Sequence, residues 1–219
     1  MKTKKELIVF DLDGTLIDTL RDLNNAVNFA LTKNGFENRD LEHTRRSIGD
    51  GVAMLVKRSV PSNCDEETYK KTLKDFEDYY RLHSAEHTTP YTGMKETLEY
   101  LKRKGYLLAV STNKIENVAQ ELIDSIYPCV FDTVCGDNKV RQRKPAPDSI
   151  NEIMRRLAIH DKSKIIYIGD TEVDHLTAEN SGVDSLIVTY GYRTEEELQK
   201  FHFDNVCIHS PSDIKKHFK

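Results

Sequence analysis

Acidic residues follow two short apolar runs of this 219-residue sequence and are the first candidates for chemistry. Asp11 and Asp13 come directly after residues 7–10, and Asp170 comes directly after residues 165–169. Oxygen ligands of this kind are what Mg²⁺ prefers, and close carboxyl groups hold protons more tightly unless a cation lies among them. Convergence of the three acids would therefore create a cation site. The alternative is that the Asp-x-Asp pair forms an ordinary turn or helix cap.

Polar groups of other kinds occur at two further places that a parallel sheet would bring to the same edge. Thr112, Asn113 and Lys114 come at the end of the apolar run 107–111, and Lys144 precedes a predicted helix. In open parallel sheets, functional groups gather at the carboxyl ends of the strands. We therefore expect these side chains to lie near the three acids.

Short runs rich in β-branched residues predict the strands that must position these groups. Most of the runs lack polar alternation, which is typical of strands covered on both faces, and stretches with helical apolar spacing separate the last four. We predict a three-layer, Rossmann-like α/β core in which a parallel sheet carries helices on both faces. The predicted strands are residues 7–10, 107–111, 130–135, 165–169 and 186–190.

The segment between the first two predicted strands has a different pattern. Leu20, Leu23, Val27 and Leu31 recur at helical spacing, and similar patterns follow further along the segment. The sequence therefore predicts an α/β core domain formed by residues 1–17 and 88–219, with residues 18–87 inserted as a small α-helical domain.

Four motifs occur in order along the chain and carry a resemblance to a known family. They are Asp11-Leu12-Asp13-Gly14-Thr15, Thr112-Asn113, Lys144-Pro145, and Gly169-Asp170 followed by Asp174. Together they resemble the four motifs of the haloacid dehalogenase-like (HAD) phosphohydrolases, over nearly the whole chain. Within that superfamily the sequence is most similar to the phosphoglycolate phosphatases, through residues 45–51, 90–98 and 190–192. The resemblance implies a HAD-like core with a helical cap domain.

The resemblance also implies roles for the acidic residues. Asp11 would be the nucleophile that carries the phosphoryl group, and Asp13 would protonate the leaving oxygen and later activate water. Mg²⁺ would be bound by the carboxylates of Asp11 and Asp170 and by the backbone carbonyl of Asp13. Thr15 and Asp174 would support the site. For Asp174, the alternative is an ordinary acid in the first turn of a helix.

Substrate-binding groups follow from the same resemblance. Thr112, Asn113 and Lys144 would bind the phosphoryl group and match its charge during transfer. Arg46, in the helical insert, could bind a carboxylate at the far end of the substrate. The alternative is that Arg45 and Arg46 form a solvated basic pair ahead of a helix.

The predicted function is a Mg²⁺-dependent phosphatase of small phosphomonoesters that works through an aspartyl-phosphate, with phosphoglycolate as the leading substrate. Asp13 argues against dehalogenation, because displacement of halide needs no general acid. Leu23 stands where sugar phosphomutases of the superfamily often have histidine, which disfavours a mutase. Sugar phosphomutase, pyrophosphatase, nucleotide phosphatase and a binding module without activity remain the alternatives.

Composition limits the partners and the compartment. Lys and Arg number 32 against 36 Asp and Glu, without a concentrated basic block, which predicts no nucleic-acid or membrane partner. No apolar stretch is long enough for a secretory signal or a membrane span. The four cysteines form no C-x-x-C pair, as expected in a reducing cytoplasm. We expect a phosphate-ester substrate and a chain that is a monomer or homodimer.

Overall fold

The computed structural model describes residues 4–201 and 207–218 and contains two compact units. The chain up to Ile17 and from Pro90 onwards forms one unit, and residues 18–89 form the other. The first unit contains a parallel sheet with helices, whereas the second is helical. None of the described helices combines the length and the apolar character that crossing a membrane requires.

The described residues contain eight strands and ten α-helices. The strands are β1 Leu7–Phe10, β2 Ile17–Asp18, β3 Thr89–Pro90, β4 Leu107–Ile115, β5 Thr133–Asp137, β6 Ile165–Gly169, β7 Asp184–Val188 and β8 Cys207–Ile208. The helices are α1 Leu20–Lys33, α2 Leu41–Ser47, α3 Val52–Ser59, α4 Glu66–His83, α5 Met94–Arg103, α6 Glu116–Ile126, α7 Asp148–Arg156, α8 Glu172–Ser181, α9 Glu195–Gln199 and α10 Pro211–Ile214.

Six strands form the main sheet, in the order β5-β4-β1-β6-β7-β8, and each adjacent pair is parallel. Every residue of β1 is buried, because successive side chains face opposite sides of the sheet and both sides are covered. Leu7 and Val9 pack with apolar residues of α7 and α8. On the opposite face, Phe10 makes an edge-to-face contact with Phe131. The predicted three-layer α/β fold is confirmed.

Several strand bounds differ from the prediction for local reasons. β1 and β6 match the predicted runs, but β5 begins three residues later than Val130. Val130 instead closes a turn, in which its N–H donates to the carbonyl of Tyr127 at 3.2 Å. β4 extends four residues beyond Ser111, and its register with β5 shifts between Ser111 and Ile115.

The helical unit consists of α1 to α4, with α1 packed against α4. Leu23, Val27 and Phe76, which belong to the predicted apolar faces, are buried. Helix α2 was not predicted, because its sequence LEHTRRS has no apolar repeat. It begins with a cap, in which the side chain of Asp40 accepts a hydrogen bond from the N–H of His43 at 2.7 Å.

A buried carboxylate joins the beginning of the helical unit to its end. Asp22 lies on α1 and is 1% exposed. Its oxygens accept hydrogen bonds from the N–H of His87 at 3.0 Å and from the N–H of Thr88 at 2.9 Å. The hydroxyl of Thr88 donates a further bond at 2.8 Å. These contacts fix the segment 87–88 against α1.

We expect Asp22→Ala to lower the free energy of unfolding by about 2 kcal/mol, because donors of His87 and Thr88 lose a charged acceptor. Urea denaturation followed by circular dichroism measures this change. Asp78→Ala is the matched control, since Asp78 is exposed and pairs only across the helix surface with Lys74 at 2.6 Å. Its effect should stay below about 0.5 kcal/mol. Similar small changes in both variants would contradict the role of Asp22.

Candidate active site

Three adjacent strands position the candidate residues. β1 lies between β4 and β6, and the three run parallel, so their carboxyl ends meet at one edge of the sheet. Asp11 follows β1, Thr112 lies near the end of β4, and Asp170 follows β6. All three are buried. The strand order therefore brings the first, second and fourth motifs to the same edge.

The carboxylates of Asp11, Asp170 and Asp174 form a buried acidic group. One oxygen atom from each lies within 4.8 Å of those from the other two. Asp170 and Asp174 are inaccessible to solvent, so water does not screen their charges. Such an arrangement needs positive charge nearby, because close carboxylates repel one another strongly in a buried setting.

Lys144 supplies part of this positive charge. Its Nζ donates to Asp11 Oδ1 at 2.8 Å and to Asp174 Oδ1 at 2.7 Å. The side chain of Asn113 holds the backbone of Lys144 from both sides: Oδ1 accepts from the Lys144 N–H at 2.8 Å, and Nδ2 donates to its carbonyl at 3.2 Å. Asn113 therefore orients the lysine that joins the two acids.

Asp174 is held by the start of α8. Its Oδ2 accepts hydrogen bonds from the N–H of Thr171 at 3.0 Å and from the Thr171 hydroxyl at 2.7 Å. Thr171 is the N-cap of α8, and Asp174 completes a capping box. The carboxylate that contacts Lys144 through Oδ1 is therefore fixed by the cap through Oδ2. Asp174 is at the same time an acid in the first turn of a helix, as the alternative proposed.

The carboxylate of Asp13 pairs with a different lysine. Nζ of Lys114 donates to Asp13 Oδ1 at 2.8 Å and to Oδ2 at 3.2 Å. Asp13 is thus not one of the three acids whose carboxylates converge. The metal contact predicted for Asp13 is through its backbone carbonyl, and this contact stays a prediction.

Glycine residues let the backbone pack closely around Asp170. A Cβ atom at Gly14, where φ is +89°, would overlap the Asp170 carboxylate, and one at Gly191 would lie 2.6 Å from Oδ2. Oδ2 also accepts a hydrogen bond from the N–H of Tyr192 at 2.7 Å, and Oδ1 accepts one from the hydroxyl of Thr15 at 3.2 Å. These contacts fix the orientation of the carboxylate.

Burial and repulsion raise the proton affinity of the acids. The pKa of Asp11 rises to about 7, first because the group is buried and then because Asp174 lies nearby, although Lys144 acts in the opposite direction. Burial, followed by Asp174 and Asp11, raises the pKa of Asp170 well above its ordinary value. Burial would lower the pKa of Lys144, but Asp11 and Asp174 raise it well above its usual range. The lysine therefore stays charged.

The charge balance of this group fits a divalent cation. The contacts described above join four carboxylates and two ammonium groups, from Asp11, Asp13, Asp170, Asp174, Lys114 and Lys144. With all of them ionised, two negative charges are left over. Carboxylate oxygens suit a hard cation, and the three convergent acids could hold one that cancels this excess.

Arg46 belongs to the helical unit and lies on α2. Its side chain is 67% exposed, and its Nε lies 2.6 Å from Oε1 of Glu42. The carboxylate in contact with Arg46 is therefore that of Glu42 and not that of a ligand. The predicted substrate contact of Arg46 stays a prediction.

No role for Lys114 or Tyr167 follows from the sequence alone. The hydroxyl of Tyr167, buried in β6, accepts a hydrogen bond from Lys144 Nζ at 3.0 Å and lies 3.0 Å from the carbonyl oxygen of Ser111. The position of Tyr167 inside an apolar run does not indicate that its hydroxyl contacts Lys144. For Lys114 a signal existed, namely a lysine directly after Thr-Asn at the end of the run 107–111.

Comparison with known proteins places the chain in a family. The family model described as haloacid dehalogenase-like hydrolase matches residues 8–188. The chain belongs to the haloacid dehalogenase-like hydrolases, which confirms the resemblance carried by the four motifs.

Relatives with curated names and solved structures cover nearly the whole chain. The phosphoglycolate phosphatase of Mesorhizobium japonicum is 32% identical over 215 residues, which are 93% of this chain and 94% of the relative. That of Caulobacter vibrioides is 33% identical and covers 95% of this chain and 89% of its own length. The structure of a Lactobacillus delbrueckii protein superimposes with a TM-score of 0.92 at 30% identity, over 98% of both chains. The structure of a predicted phosphoglycolate phosphatase from Haemophilus somnus superimposes with a TM-score of 0.89 at 28% identity, also over 98% of both chains.

The raised pKa of Asp11 predicts how stability depends on pH when divalent cations are removed. The folded chain takes up this proton near pH 7, whereas the ordinary value is 3.8, so the folded state binds more protons between these values. The free energy of unfolding therefore falls as pH rises through this window. We expect a decrease of more than about 1 kcal/mol from pH 5 to pH 8 in urea denaturation with EDTA.

Asp11→Asn is the control for this measurement, because it removes the titrating group. The decrease with pH should be smaller in the variant, and added Mg²⁺ should stabilise the wild-type chain more at pH 8 than at pH 5. An identical pH dependence in both proteins would show that Asp11 does not titrate as described.

Proposed function

We propose that this chain is a Mg²⁺-dependent phosphatase that hydrolyses small phosphomonoesters through an aspartyl-phosphate on Asp11. One observation carries the proposal: two acids two residues apart are each paired with a buried lysine. Asp11 contacts Lys144 and Asp13 contacts Lys114, both at 2.8 Å. Membership of the HAD hydrolases and similarity to phosphoglycolate phosphatases support the same activity.

In the first step, a carboxylate oxygen of Asp11 attacks the phosphorus atom and the bond from phosphorus to the ester oxygen breaks. Asp13 gives its proton to the departing oxygen, so the alcohol leaves in neutral form. The phosphoryl group is then bound to Asp11 as an acyl phosphate, and Asp13 is a carboxylate.

In the second step, Asp13 takes a proton from a water molecule that attacks the same phosphorus atom. The bond between phosphorus and Asp11 breaks, and inorganic phosphate is released. Both acids are then in their starting states. The two steps require Asp11 ionised and Asp13 protonated at the outset, which is why separate surroundings for the two carboxyl groups matter.

Thr112 and Lys144 are proposed to bind the phosphoryl group directly, and Asn113 is proposed to contribute to this binding through Lys144. The ammonium group of Lys144 lies 2.8 Å from Asp11, so it is adjacent to the oxygen that would carry this group. A fixed positive charge there would stabilise the negative charge that develops during transfer. The side-chain amide of Asn113 acts through the backbone of Lys144, which it holds in place.

Mg²⁺ is proposed to be held by the carboxylates of Asp11 and Asp170 and by the backbone carbonyl of Asp13. When bound there, it would offset the excess negative charge of the acids and of the phosphoryl oxygens. Thr15 and Asp174 are proposed to support the site: Thr15 donates to Asp170, and Asp174 contacts Lys144. Both contacts orient groups that touch the metal or the phosphoryl group.

Asp11→Asn tests the nucleophile. The amide cannot form the acyl phosphate, so release of inorganic phosphate from p-nitrophenyl phosphate should fall by more than about 10³-fold. The wild-type enzyme should lose activity in EDTA and recover it on addition of Mg²⁺. Asp78→Asn, an exposed change in the helical unit, is the matched control and should retain activity. Appreciable turnover by the Asp11 variant would remove this residue from its role.

Phosphoglycolate is the proposed substrate. The relatives that carry this name match most of the chain, and the leaving group of phosphoglycolate carries a carboxylate. We propose that the insert 18–87 acts as the cap domain and that Arg46 binds this carboxylate. Its present partner, Glu42, would then be exchanged for the substrate.

Arg46→Gln should raise KM for phosphoglycolate about tenfold, because a hydrogen bond to a charged group is lost. The effect on p-nitrophenyl phosphate, which lacks the carboxylate, should be small. Steady-state kinetics with both esters measure the difference, and Arg81→Gln on α4 is the matched control. Equal losses on both esters would instead assign Arg46 a structural role.

A further inference from the structure

We infer that Lys114 is a positioning residue for Asp13 and thereby controls the hydrolysis of esters whose leaving group must be protonated. The inference rests on the proposed function, in which Asp13 is the general acid. It assigns a role to a buried lysine that the phosphatase chemistry above leaves without one.

The geometry of β4 directs Lys114 towards Asp13. The strand continues to Ile115, and its register with β5 is irregular between Ser111 and Ile115. Irregularities of this kind re-aim side chains beside functional sites. The N–H of Lys114 donates to the hydroxyl oxygen of Thr112 at 3.2 Å, which fixes the backbone, and the ammonium group reaches both oxygens of Asp13.

Burial makes this contact strong. The side chain of Lys114 is 3% exposed and that of Asp13 is 15% exposed. A buried ammonium group next to a carboxylate forms a short, charge-assisted hydrogen bond. Removal of one partner from such a pair costs far more than removal of one from a surface pair. Lys114 therefore restricts the orientation of the Asp13 carboxyl group.

The two lysines of the site serve different acids. Lys144 contacts Asp11 at 2.8 Å and Asp174 at 2.7 Å, whereas Lys114 contacts Asp13. The nucleophile and the general acid are thus each held by their own cation. Loss of Lys114 should affect proton transfer to the leaving group more than attack on phosphorus.

Lys114 contacts both oxygens of Asp13, the residue that transfers the proton in the proposed reaction. The two hydrogen bonds measure 2.8 Å to Oδ1 and 3.2 Å to Oδ2. As the ester bond breaks, the proton of Asp13 passes to the leaving oxygen and Asp13 becomes a carboxylate beside the ammonium group. Lys114 therefore stabilises the charge that Asp13 acquires.

The test compares two esters with the variant Lys114→Met, which keeps the chain length and removes the donor. The glycolate of phosphoglycolate is a poor leaving group and needs the proton, whereas p-nitrophenolate leaves as a stable anion. We expect kcat/KM for phosphoglycolate, which reports the steps up to departure of the leaving group, to fall on the order of 10²-fold. The decrease for p-nitrophenyl phosphate should be at least about tenfold smaller.

Lys5→Met is the matched control. Lys5 is also largely buried, with 15% of its side chain exposed, and it pairs with Asp184 at 2.5 Å. It precedes β1, at the opposite edge of the sheet from Asp11. Thermal unfolding of both variants measures the structural cost of losing a buried lysine. Only Lys114→Met should change the ratio of the two kcat/KM values.

A double-mutant cycle separates positioning from other roles. In an Asp13→Asn background, Lys114→Met should cause almost no further loss on phosphoglycolate, because the group it positions is gone. Equal losses on both esters, or additive losses in the cycle, would overturn the inference and make Lys114 a phosphoryl ligand or a structural residue. A wild-type chain that hydrolyses neither ester would instead overturn the proposed function and this inference with it.

Discussion

The arrangement of the candidate site depends above all on several buried carboxylates at one edge of a parallel sheet. Asp11, Asp170 and Asp174 converge there, and Lys144 joins two of them. The lysine does not neutralise the group: burial first, and then the nearby Asp174, raise the pKa of Asp11 to about 7. A dication and an anionic ester, both part of the proposed function, would each reduce the cost of binding the other at a site with unbalanced charge of this kind.

Some side chains both stabilise the fold and orient the groups of the candidate site. Asp174 caps α8 and contacts Lys144 through the same carboxylate. Asp170 is enclosed by backbone at Gly14 and Gly191, where a side chain would overlap it. The orientation of Asp170 and Asp174 therefore follows from how a helix begins and how two loops pack. Under the proposed function, carboxylates fixed in this way would need little reorganisation, which is the main requirement for electrostatic stabilisation of a transition state.

The sequence predicted those features that depend on local pattern. β1 and β6 matched uninterrupted apolar runs, and the identity of the candidate acids followed from their position after these runs. Features that no local sequence pattern indicates were not predicted. Helix α2 lacks an apolar face that could reveal it, and Val130 is drawn into a turn by Tyr127. The pairing of Asp13 with Lys114 joins residues 101 positions apart, so no local spacing along the chain encodes it.

The hydrogen bonds that Asp22 accepts from His87 and Thr88 bear on how such a chain can diversify. Because these hydrogen bonds tie the segment 87–88 to the first turn of α1, the two ends of the helical unit lie close to each other. An insert whose two ends lie close together can be replaced by a longer or shorter insert without changing the distance between the segments that precede and follow it. Replacement of the insert can then change which substrates are bound while the residues at the edge of the sheet stay the same.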